Sequence, residues 1–80
     1  QMEDEYWKEK YYIDMTDEEE RREILRNNLN TKAELTNANL NFEFANTKEL
    51  IDYYIYIIKS KQSELDNLIK LAKEKNIEVA

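Results

Sequence analysis

The side chains in this sequence with the greatest capacity for chemistry are its carboxylates, and three sets sit at close spacing: Glu20 with Glu23, Glu49 with Asp52, and Glu64 with Asp66. Paired carboxylates serve two main chemistries, divalent-metal binding inside helical bundles and general acid–base work in a cleft. The first normally recruits histidine through Glu-x-x-His, and the chain has no histidine and no cysteine. Imidazole and thiolate ligands, catalytic triads and near-neutral pH switches are thereby excluded, so no metal and no cofactor is expected. The second needs an enclosed pocket, which a short helical chain does not build. Glycine is also absent, and with it the phosphate-cradling loops that need a backbone without Cβ. Catalysis is not expected.

The more unusual resource is aromatic. Tyr53-Tyr54-Ile55-Tyr56 forms one cluster, and Trp7, Tyr11 and Tyr12 form another near the start. Tyrosine and tryptophan favour surfaces where one end of the ring is buried and the polar tip is wet, which makes Trp7, Tyr11, Tyr53, Tyr56 and Ile57 the candidate interaction residues. Packing within the chain competes with a binding role, because the early rings could fold back on Tyr53 and Tyr56. Nucleic acid is a poor partner. A net charge of -6 and a pI near 4.7 oppose the phosphate attraction that drives non-specific binding.

That charge is concentrated. Residues 1 to 23 hold ten acidic and four basic side chains, and residues 24 to 80 hold eight of each. Residues 1–15 therefore read as an acidic aromatic leader on a neutral body of residues 16–80. The leader acts either as a clasp, with Trp7 and Tyr11 on the second helix near Tyr53, Tyr56 or Ile57, or as a hook for a basic partner. Trp7, Tyr11 and Met15 recur every four residues, a weak helical signal.

The elements that position these groups are helical. Thr16-Asp17-Glu18-Glu19 matches a capping box and starts the first helix, expected over 17–45. At 100° per residue its apolar groups divide between two opposite sides: Leu25, Leu29, Ala33, Leu40 and Phe44 on one, Ile24, Leu35, Ala38, Phe42 and Ala45 on the other. The alternation of Ala38, Leu40, Phe42 and Phe44 also fits a half-buried strand, although no turn follows to fold a second strand onto it. Asn46-Thr47-Lys48-Glu49 breaks the chain, with Asn46 expected as N-cap and Ala45 and Leu50 as its hydrophobic staple. The second helix, expected over 48–76, carries a heptad: Ile51, Ile58, Leu65 and Ala72, with Tyr54, Lys61 and Leu68 in the d-like positions and Ile55, Gln62 and Ile69 beside them. Asn76 suits a left-handed C-cap.

The expected fold is all-α: an antiparallel helical hairpin preceded by the acidic aromatic segment. Two helices make one seam, yet both carry apolar groups away from it, so a homodimer forming a four-helix bundle is expected. No apolar run approaches a membrane span and no stretch reads as a secretion signal, so the expectation is a cytoplasmic protein without membrane contact. The function expected from these features is a non-enzymatic protein–protein interaction or regulatory module.

Asn41-Phe42-Glu43-Phe44-Ala45-Asn46-Thr47-Lys48-Glu49-Leu50-Ile51-Asp52-Tyr53-Tyr54-Ile55-Tyr56, with Leu71-Ala72-Lys73-Glu74-Lys75 further on, resembles the YaaL-like family of small proteins from spore-forming bacteria. The resemblance covers about half the chain and implies a cytoplasmic, sporulation-associated helical protein, with no catalytic residue to carry over. At the turn the family often has an Asp-Pro step where this chain has Asn46-Thr47. A second stretch, Gln62-Ser63-Glu64-Leu65-Asp66, is similar to the Ser-Gln-Glu-Leu-Asp signature of small hairpin phosphatases that act on a sporulation response regulator. Its first two residues are transposed. That likeness implies an alternative function, aspartyl-phosphate hydrolysis, in which Gln62 or Glu64 would orient water and Asp66 would hold the geometry.

Overall fold

In the computed structural model, residues 16–79 are described, and they form two helices: α1, Asp17–Glu43, and α2, Lys48–Glu74. These pack against each other as an antiparallel hairpin, with no strand among the described residues. The leader, including Trp7 and Tyr11, lies outside them.

The start of α1 follows from its sequence. The Thr16 hydroxyl accepts from the Glu19 amide at 3.2 Å, and the Glu19 carboxylate accepts from the Thr16 amide at 3.2 Å and its hydroxyl at 2.8 Å. Asp17, Glu18, Glu19 and Glu20 crowd the positive pole of the helix. The helix then runs unbroken through Ala38, Leu40 and Phe42, which rules out the strand. It ends two residues before the expected position, because the Phe44 and Ala45 amides turn back to the Asn41 and Phe42 carbonyls in a tight 3₁₀-type closure.

Four residues, 44–47, make the turn. The N-cap of α2 is Thr47 rather than Asn46: its backbone is extended, and its hydroxyl accepts from the Leu50 amide at 3.2 Å. A threonine hydroxyl one residue later fills the same role, so the staple inferred from an Asn46 cap is displaced by one position. At the far end the Ile77 amide reaches the Ala72 carbonyl at 2.8 Å, and the Asn76 amide reaches that of Lys73 at 3.2 Å. This is a Schellman closure, made possible by Asn76 at φ 57°, the left-handed position expected of it. It ends α2 at Glu74, also two residues short of the expectation.

The heptad of α2 has the expected phase. Leu68 and Ala72 are buried, and Ile51, Tyr54, Ile58, Lys61 and Leu65 are half-buried along the same line. Two residues placed beside it, Ile55 and Gln62, are exposed. Opposite, α1 buries Ile24, Asn28, Thr31 and Ala38, with Leu35 half-buried on the helix and Ala45 half-buried in the turn. The seam therefore uses the Ile24 side of α1 and includes two polar residues that apolar periodicity could not reveal.

Candidate interaction surface

Polar contacts line one edge of the seam. The Lys61 ammonium lies 3.1 Å from Glu34 on α1 and 3.4 Å from Glu64 on its own helix, while the Thr31 hydroxyl donates to Glu64 at 3.3 Å. The Glu34 contact, with Glu64 beside it, raises the Lys61 pKa above its ordinary value of 10.5 against a smaller opposing effect of burial. Nearer the open end, Lys75 lies 3.2 Å from Glu20. These contacts join the helices at several levels. The Glu19 carboxyl is held below its ordinary range, first by the Thr16 hydroxyl and then by the Thr16 amide.

Most of the carboxylate pairs read from the sequence are thereby engaged. Glu20 bridges to Lys75, Glu23 to Arg26 at 2.9 Å, Asp52 to Lys48 at 2.7 Å, and Glu64 to Lys61. No group of three or more potential metal ligands occurs among the described residues. A groove at the open end, lined by Asp17, Glu18, Glu20, Arg21 and residues 74–77, is shallow and largely open to solvent. Gln62 and Asp66 are exposed one turn apart on α2, whereas Glu64 is turned toward Thr31 and Lys61.

The aromatic candidates on α2 grade outward. Ile57 is half-buried at the seam's edge, Tyr53 is 56% exposed and Tyr56 is 72% exposed. The Tyr53 ring meets that of Tyr54 edge-on, with centroids 5.0 Å apart, so it is anchored on one side and free on the other. These three form one surface around α2, of which the hairpin leaves Tyr53 and Tyr56 uncovered.

A second apolar surface lies on α1. Leu29 is 68% exposed, Leu40 52% and Phe44 81%, and Ala33 between them is exposed too. Of the eight large hydrophobic side chains exposed among the described residues, all but Leu29 lie between Leu40 and Tyr56, in the turn half. The apolar periodicity of α1 groups Leu29, Ala33, Leu40 and Phe44 with Leu25, which the hairpin half-buries. Aromatic clustering drew attention to Tyr53 and Tyr56 instead, while the signal for α1 lay in the doubled apolar face.

No family model, curated protein or solved structure matches the chain.

Proposed function

We propose that this chain is a non-enzymatic helical protein–protein interaction module, cytoplasmic and regulatory in role, that self-associates so that two hairpins bring four helices together. The observation that carries this reading is the outer face of α1, where Leu29, Leu40 and Phe44 stand in solvent although none is needed for the hairpin seam. Large apolar side chains that recur along one exposed helix face are the kind of surface that association covers.

Mass tests it directly. Sedimentation equilibrium of the full chain from micromolar to millimolar concentration is expected to pass from 9.7 kDa toward twice that value. A monomer over the whole range overturns self-association.

The alternative, aspartyl-phosphate hydrolysis, is favoured by one feature: Gln62 and Asp66 are accessible on one side of α2. Release of phosphate from a phosphorylated response regulator, lost in Asp66→Ala, would establish it in place of the interaction module.

A further inference from the structure

We infer that the self-association rests on α1 pairing antiparallel with α1 of a second copy, about a two-fold axis between Thr36 and Asn37. The proposal deepens the interaction reading above and depends on it. Four observations lead to it.

The first is palindromic spacing. Leu29 and Phe44 are equidistant from the midpoint between Thr36 and Asn37, and so are Ala33 and Leu40. An antiparallel mate therefore sets Leu29 level with the partner's Phe44 and small Ala33 level with the partner's Leu40. Two-fold contacts require such self-complementarity, and alternating small and large groups allow two helices to approach closely.

The second is the edges of the stripe. At 100° per residue, Lys32 and Glu43 fall along one edge, and Asn30, Asn37 and Asn41 along the other. When helices pair face to face and antiparallel, each edge meets the same edge of its mate. Lys32 then lies within two residues of level with the partner's Glu43, and Asn30 equally near the partner's Asn41. Lys32 and Glu43 make no ion pair among the described residues, so both are available for it. In a parallel pairing each edge would meet the opposite one, and the lysine would face asparagines.

The third is the limits of the stripe. Toward the N-terminus the same face continues to Leu25, which the hairpin already half-buries, and to Arg26 and Arg22, already paired with Glu23 and Glu18. Toward the C-terminus the helix ends at the turn. The exposed apolar segment thus runs from Leu29 to Phe44, the C-cap residue of α1.

The fourth is area. At about 150–250 Å² for a large side chain, the exposed parts of Leu29, Leu40 and Phe44 amount to roughly 350 Å² per copy. With Ala33 and the two edges added, the pair falls at the small end of specific interfaces, near or below about 1,200 Å² in total. Interfaces of that size belong to weak or transient association, so the mass measurement spans a wide concentration range. The resulting order, α2, α1, partner α1, partner α2, sets four helices side by side.

The test uses sedimentation equilibrium of full-length variants, with circular dichroism to confirm that each keeps its helix content. Leu40→Asp, exposed in the hairpin, is expected to weaken dimerisation by about a hundredfold or more without loss of helix. Lys32→Glu and Glu43→Lys are each expected to weaken it about tenfold, since each replaces two symmetric attractions by repulsions. Mixing those two variants, or combining both changes in one chain, is expected to restore it. Direction is read by oxidation, because the natural chain has no cysteine: Thr36→Cys should cross-link to its own mate, and Leu29→Cys should not. Monomers throughout would overturn both this proposal and the reading beneath it. A dimer indifferent to Leu40→Asp, or one that cross-links through Leu29→Cys, would overturn only the α1 pairing.

Discussion

The two faces of α1 are reversed from common expectation. The face buried against α2 carries Ile24, Asn28, Thr31 and Ala38, half of it polar, while the face turned to solvent carries Leu29, Ala33, Leu40 and Phe44. Burial here follows geometry and partner rather than hydropathy alone. A two-helix seam is narrow, and small or polar residues fit where the backbones approach. The bulky side chains lie where a hairpin alone has nothing to cover them.

The difference can be broken at its strongest point by truncating the buried face. Ile24 is fully buried, and Ile24→Ala is expected to cost about 2–5 kcal/mol, a large share of the stability of so small a fold. At a concentration low enough to hold monomers, Leu40→Ala should stay within about 0.5 kcal/mol. Denaturant midpoints of the two variants measure the contrast, and equal shifts would contradict the assignment of faces.

A gain of stability would sharpen it further. Asn28 is buried and its amide nitrogen has no acceptor, a state that costs about 1–3 kcal/mol. Asn28→Leu is therefore expected to raise stability by about 1–2 kcal/mol once imperfect packing is allowed for, read as a higher denaturant midpoint. The same replacement also tests whether the asparagine fixes register, as a polar residue in an apolar seam can; loss of a single cooperative transition would reveal that role.

A smaller effect belongs to the cap of α1. Thr16→Ala should cost about 1 kcal/mol, read from the same denaturation curves. In the intact protein the Glu19 carboxyl has a lowered pKa in the folded state. Its contribution is present above the unfolded-state pKa and fades as pH falls through the lowered folded value. Stability of Thr16→Ala should consequently depend less on pH in the acid range than that of the parent.

The smallest effect is at Lys61. Its raised pKa reverses the direction: the contribution is full below the ordinary value of 10.5 and is lost as pH rises through the higher folded value. A Lys61→Met variant should remove that alkaline dependence. Thermal melts between pH 9 and the onset of alkaline unfolding provide the comparison.

The hairpin was readable from local signals because each had its own mechanism. A capping box needs only Thr16 and Glu19, and the α2 heptad needs only regular apolar spacing. Asn76 is one of the few residues that tolerates the left-handed cap in a chain without glycine. The identity of the second N-cap was less legible, because Asn46 and Thr47 are both competent and the turn length decides between them. Asn28 and Thr31 were hidden for a deeper reason: periodicity counts apolar residues, and polar groups in a seam leave no such trace. The outer face of α1 was visible as a stripe, but which stripe met α2 depended on the partner helix.

The closure of the hairpin also bears on how the chain folds. Its best-buried residues, Ile24 and Ala72, lie toward the open end, far apart in sequence, whereas the pairs nearest the turn bury little. Contacts that close quickly are thus the weak ones, and the strong ones must wait for a long loop to close. Zipping outward from the turn meets an uphill stretch before it is rewarded. Once formed, the far end acts as a latch, bolted by Glu20 and Lys75 and by the Asn76 cap. Amide exchange should then be slowest around Ile24 and Leu68 and faster toward Leu40 and Tyr53, so that native openings begin at the bend while the termini of the helices hold.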